Sequence, residues 1–331
     1  MPRHLRFQSN PWSTHFITSR CTQGYGLLRP SAQVNKIIAG CLAHALTRHQ
    51  GEIKLHHYVF MSNHLHIILS SASTHARSSF MCCFKGNLAR ELCRLHRWRD
   101  HLWEGRYKSY EILDEDALIS AYQYIFKNSV KEGLVSHPSH WPGLHGWAQL
   151  CGRREVIGEW VDRTGWCYAQ KTLKGKTKTI RDFTHLLPVH LKRPAMWDHW
   201  TDEEYQARCL EWTAEAMKEI QSAREAQALA EANGRMTAAE RLLALMCCMG
   251  AEAVCEEPVF KARETKRTPH PLCRARCPQR FAQYMSGYRA FKAAFLDASG
   301  RLRAAVAAGL SLPSVRFPEG GSAFYIGILG T

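Results

Sequence analysis

The run "YVFMSNHLHIIL", Tyr58 to Leu69, is apolar apart from Ser62, Asn63, His64 and His66. It reads as strand, either as two pieces around His56–Phe60 and His64–Leu69 or as one continuous element. Side chains alternate along a strand, so His64 and His66 leave one face while Leu65 leaves the other. Two neutral imidazoles side by side are half of a metal site. The blander reading is a pair of hydrogen-bonded histidines on the wet face of a half-buried strand, and the chain has 18 histidines. The pair needs a partner.

Working outward, HFITSRC (His15–Cys21) is a short strand, and Val34 to His49 carries apolar residues at helical spacing with Gly51 as a stop. After the histidine run, Ser79 to Arg97 reads as a helix bearing Lys85, Arg90, Arg94 and Arg97. SYEILD (Ser109–Asp114) is another strand, and Asp116 to Val130 an amphipathic helix with an acidic start. The order β-α-β(-β)-α-β-α predicts an α+β domain, with a mainly antiparallel sheet and its helices on one face. That domain is assigned to residues 1–150.

Residues 151–198 read as a basic linker region, since Lys171 to Arg193 is rich in Lys, Thr and His. Residues 199–331 are expected to be a mostly helical C-terminal extension for DNA or partner binding. Thr201–Glu204 and Thr237–Glu240 both fit the capping box, with Asn233-Gly234 between their helices. A second basic stretch, Lys261 to Arg280, precedes a last helix over about 280–307. Its stripe of Phe281, Tyr284, Tyr288, Phe291 and Phe295 suits helix packing better than base stacking.

The 331 residues carry a formal charge of +15, with 17 Lys and Arg against 9 acids in residues 1–150, so the excess spans both halves. A polyanionic partner is expected, nucleic acid above all, through phosphate neutralisation and counterion release. No apolar stretch is long enough to span a bilayer, and the N-terminus lacks the apolar core of a secretory signal. The expectation is therefore a cytoplasmic protein, nucleoid-associated in a prokaryote, with no membrane partner. Thirteen cysteines without an export signal are expected to be reduced thiols. Cys255, His270, Cys273 and Cys277 match no strong zinc template.

The helix DALISAYQYIFKNSVKEGLV supplies the missing partner. At ~100° per residue, Leu118, Ala121, Tyr122 and Ile125 form its core stripe. Tyr124 lies off that stripe, with Asn128 one turn further along. Such a pair is ordinary surface packing unless it meets the histidines. Together with His64 and His66 it suggests a metal held by two imidazoles and an amide oxygen, beside a phenol placed to attack a phosphate.

NHLHIIL followed by GRYKSYEILDEDALISAYQYIFKNSVKEGLV resembles the single-tyrosine HUH transposases, in their REP-associated tyrosine transposase branch. His64-Leu65-His66 is the His-bulky-His element, and Tyr124 to Val135 follows the family helix pattern Tyr-Ile-x-x-Asn-Pro-Val. The resemblance covers about residues 12–147. It implies an HUH fold of the ferredoxin or RRM-like type, with Tyr124 as nucleophile and His64, His66 and Asn128 as ligands of a divalent metal, Mg or Mn. It further implies that Arg20, Arg106 and Lys108 contact the DNA backbone, and that Tyr122 is a decoy outside the motif register. The implied activity is that of a transposase, a metal-dependent single-strand DNA endonuclease and strand transferase working through a 5′-phosphotyrosine at hairpin-associated sites. Its partner would be single-stranded, hairpin-bearing DNA, bound by a monomer or a homodimer. The alternative is a domesticated, catalytically silent hairpin-DNA-binding protein. Ser62 and Ser129 stand where the family usually has proline, and Ser129 lifts a restriction on the backbone of Asn128.

Overall fold

The computed structural model describes residues 5–171, 178–232, 273–308 and 317–318. Its main sheet has the order β2-β3-β1-β4-β7, formed by β1 (Thr14–Arg20), β2 (Ile53–Phe60), β3 (His64–Ser71), β4 (Lys108–Ile112) and β7 (Cys273–Arg274). The β2–β3, β3–β1 and β1–β4 pairs are antiparallel, and β7 joins β4 in parallel. The fold is α+β, with an antiparallel-dominated sheet and a helical C-terminal region. The histidine run is two strands: Met61 N donates to the His64 carbonyl at 2.8 Å and closes the turn. Cys21 N and Leu28 N donate to the carbonyls of Asn63 and Ser62, each at 2.8 Å, and pin that turn to the end of β1.

Both faces of the sheet are covered, which corrects the expectation of helices on one face. Ile17, Leu55, Leu65, Ile67 and Leu69 pack under α1 (Ala32–Arg48) and α2 (Thr74–His96), against Ile38, Leu42, Phe80, Phe84 and Leu88. Phe16, Val59, Ile68 and Ile112 pack on the other side under α3 (Glu115–Lys131), against Leu118, Tyr122, Ile125 and Phe126. Side-chain hydroxyls cap the first two helices: Ser31 accepts from Val34 N and Ser73 from Ala76 N. Asp114 caps α3 by accepting from Ala117 N at 2.9 Å. Gly133 ends it at φ +73°, with Gly133 N bonded to the Val130 carbonyl and Leu134 N to that of Ser129. This pairing is the Schellman stop, which favours glycine because the left-handed backbone crowds a Cβ.

Beyond α3 come the one-turn α4 (Trp147–Leu150), β5 (Ile157–Val161), α5 (Arg163–Ala169), β6 (Thr184–Pro188), α6 (Asp202–Ala232) and α7 (Pro278–Ala307). The segment expected as a basic linker is folded where it is described, since β5 and β6 form a second antiparallel sheet against α1. Gly40 and Gly158 allow this approach: a Cβ on either would collide with the backbone of the opposite element. Trp160 stacks on His44 with ring centroids 4.0 Å apart. The helix expected from the Thr201 capping box is α6, with Glu204 N donating to Thr201 Oγ1 and Thr201 N to the Glu204 carboxylate.

The helix α6 lies along α3 and completes its burial. Tyr205, Cys209 and Trp212 meet Tyr122 and Trp197, and the Tyr122 and Tyr205 hydroxyls are bonded at 2.9 Å. Lys127 pairs with Glu219 at 2.7 Å, and Arg224 donates to the Val130 carbonyl. In α7, Tyr284 and Phe291 close on Phe7, with ring centroids 5.3 Å away in each case. No described helix is long and apolar enough to cross a membrane. The Thr237 capping box, Asn233-Gly234, Cys255, His270 and most of the Lys261–Arg280 stretch lie outside the described residues.

Candidate active site

The register brings the predicted residues to the α3 side of the sheet. His66 lies opposite Thr18 and His64 opposite Arg20 on β1. Their rings meet edge to face at 4.9 Å, while Leu65 turns into the opposite core. Asn63 fixes the state of His64. Its Nδ2 donates to the Gly24 carbonyl at 3.1 Å, so its Oδ1 accepts from His64 Nδ1 at 2.7 Å. The proton therefore sits on Nδ1, leaving the Nε2 lone pair of His64 free. His66 is only 6% exposed, and neither ring nitrogen has a hydrogen-bond partner. Burial pushes the His64 pKa down to about 4, despite help to its charged form from Asn128, and it holds His66 well below the usual range. Both rings are neutral near pH 7, as ligation requires.

Above them, α3 presents Tyr124 and Asn128 one turn apart. The Tyr124 ring stands edge-on to His66 at 5.1 Å and to Phe16 at 5.6 Å. Burial raises the Tyr124 pKa, and both Arg274 and the Asn128 amide oppose that rise. Asn128 is buried, and its Oδ1 has no hydrogen bond of acceptable geometry, although the amide is close enough to bias both His64 and Tyr124. With serine at 129 the helix runs unbroken through Asn128. Tyr122, by contrast, is fully buried on the core side against Tyr205 and Trp197.

An orphaned buried polar atom costs roughly 1–3 kcal/mol. Here the two His66 nitrogens and Asn128 Oδ1 are such atoms, beside a His64 that offers a lone pair. A divalent cation fits this donor set. It contains no carboxylate, and among the described residues no group of three His, Cys, Asp or Glu is placed to hold a metal. Imidazole and amide donors suit Mn better than Mg.

The expected DNA contacts are only partly brought together. Arg20 is exposed at the end of β1, in register with His64. Lys108 is exposed at the start of β4, opposite Thr18 and so in line with His66. Arg106 is exposed in the loop before β4, outside the ladder. Two residues at the site had no assigned role in the sequence reading. Asn63 adjoins His64 in the quoted run, whereas Arg274 belongs to a basic stretch that carries no local signal. A separate cavity of about 830 Å³, lined by His44, Arg48, Arg90 and Trp160 between α1, α2 and the second sheet, contains none of these groups.

Residues 32–128, from the first residue of α1 to Asn128, match the family described as IS200-like transposases. This bears out the family resemblance over the segment that holds both histidines, Tyr124 and Asn128. No curated protein matches the chain. Among solved structures it is similar to a REP-associated tyrosine transposase bound to a REP hairpin, at 17% identity over 46% of this chain and 87% of that one, with a TM-score of 0.38. It is also similar to a protein of Deinococcus radiodurans R1 assigned as a transposase, at 17% identity over 38% and 95%, with a TM-score of 0.27.

Proposed function

Starting from the match of residues 32–128 to the IS200-like transposase family, we propose that the chain is a metal-dependent single-strand DNA endonuclease and strand transferase. One observation carries this reading: Tyr124 sits edge-on to His66 beside three buried donor atoms that no other group satisfies. A divalent cation held by His64, His66 and Asn128 would supply Lewis-acid charge to a bound phosphodiester. Tyr124 Oη attacks phosphorus, the P–O3′ bond breaks, and the strand is left as a 5′-phosphotyrosine and a free 3′-hydroxyl. The new linkage is again a phosphodiester, so a second 3′-hydroxyl can reverse the step without ATP. Arg20, Lys108 and Arg106 hold the backbone of single-stranded, hairpin-bearing DNA. Residues 1–150 carry Tyr124, His64, His66 and Asn128, and within the extension α6 and β7 pack against them.

The test is incubation of wild-type protein and Tyr124→Phe with labelled hairpin-bearing single strands from the flanks of its own gene. Each is run with Mn, Mg or chelator on denaturing gels. A covalent band is expected only with metal and Tyr124, and the Phe variant loses more than about a thousandfold in adduct formation. Hairpin binding without any adduct in either metal would instead indicate the silent DNA-binding protein.

A further inference from the structure

The two-residue strand β7 brings a guanidinium from the C-terminal extension to the nucleophile. Cys273 and Arg274 pair with Glu111 and Ile112, and Leu113 N donates to the Arg274 carbonyl at 3.0 Å. Immediately downstream, the Asp114 carboxylate accepts from the backbone N–H groups of Arg276 at 2.7 Å and Cys277 at 3.1 Å. The same carboxylate caps α3, so one side chain ties β7 to the helix that carries Tyr124.

The Arg274 guanidinium lies 3.8 Å from the Phe16 ring centroid and 5.7 Å from those of Tyr110 and Tyr124. Phe16 in turn stacks on His66 at 5.2 Å. Stacking on an aromatic face accounts for the side chain's position. It does not account for its donors. Among the described residues no carboxylate pairs with Arg274 and no oxygen is hydrogen-bonded to it, although it is partly buried. The charged or titratable groups it faces are Tyr124, Tyr110 and the neutral His66. A planar fork of N–H donors without an acceptor, beside a phenol and a candidate cation site, matches two oxygens of a phosphodiester.

We propose that Arg274 is a catalytic residue of the Tyr124 reaction, its guanidinium binding the non-bridging oxygens of the scissile phosphate and then of the phosphotyrosine. This rests on Tyr124 being the nucleophile. In the step, the Tyr124 Oη–P bond forms and the P–O3′ bond breaks, its electron pair staying on the 3′ oxygen. The phenolic proton reaches that oxygen through solvent. Arg274 keeps all its protons and offsets the charge that builds on the phosphoryl oxygens between the two diesters. The catalytic centre is therefore incomplete without the extension.

The experiment compares full-length wild type, Arg274→Ala and Arg274→Lys in single-turnover adduct formation with hairpin-bearing single strands and Mn. Hairpin affinity is measured in parallel in the Tyr124→Phe background. Arg274→Ala is expected to form adduct about a hundredfold more slowly, at little cost in hairpin affinity. Arg274→Lys should fall between, and added guanidinium salt should restore part of the alanine variant's rate. A merely structural arginine would not respond to guanidinium. Wild-type rates in Arg274→Ala, or a loss that neither lysine nor guanidinium repairs, would overturn the role of Arg274 and leave Tyr124 standing. A wild-type protein that forms no adduct overturns the nuclease reading, and the proposal with it.

Discussion

Asn63 decides which nitrogen of His64 faces the site, because its amide is held by Gly24 and its oxygen takes the Nδ1 proton. Outer partners of this kind typically change metal affinity by about 10–100-fold. Asn63→Ala should therefore weaken Mn binding by that factor in calorimetric titration while leaving the melting transition in place. Unchanged affinity would mean that His64 is not a ligand. The histidine pair was legible in the sequence because strand alternation alone puts residues 64 and 66 on one face. Tyr124 and Asn128 were legible because a helix stacks positions four apart, and the same geometry sent Tyr122 inward to Tyr205. Arg274 was not legible. Its placement depends on a parallel pairing with β4, far upstream, and no local pattern signals that.

Among the elements, α3 is fixed at both ends. Its start depends on Asp114, where partial burial opposes ionisation but three backbone N–H groups outweigh it and hold the carboxyl below the usual range. A carboxyl depressed in the folded state contributes stability above its unfolded pKa of about 4 and loses it as pH falls through the lower folded value. The melting-temperature gap between wild type and Asp114→Asn should therefore be largest near neutral pH and close below about pH 4. A gap independent of pH would show that the charge is not what matters. The sheet misled at this scale for a physical reason. His64 and His66 were consistent with a solvated face, yet every residue of β3 except His64 is buried. The near-continuous apolar run was itself the sign of a strand covered on both sides.

At the scale of the molecule, the extension packs onto the domain that carries the candidate site. Its helix α6 closes the outer side of α3, and β7 extends the sheet and brings Arg274 beside Tyr124. Removing it uncovers Tyr122 and Trp147, which meet Tyr205, Trp212 and Thr213 of α6, each worth roughly 2 kcal/mol of burial against a domain stability of about 5–15 kcal/mol. A fragment of residues 1–150 should lack a cooperative melting transition and form no adduct. A fragment that melts cooperatively and cleaves at the full rate would reduce the extension to an accessory. The supposed linker was illegible because β5 and β6 are five-residue strands that are exposed or half-buried at every position but Gly158. What holds them is a glycine-permitted backbone approach to α1, and composition carries no trace of it.

The most direct measurement is mass spectrometry of the peptide that carries DNA after reaction with hairpin-bearing single strands and Mn. The predicted result is a phosphate-linked oligonucleotide on Tyr124, absent with chelator. Attachment to any other residue, Tyr122 included, or tight hairpin binding with no linked peptide in either Mn or Mg, would contradict the account.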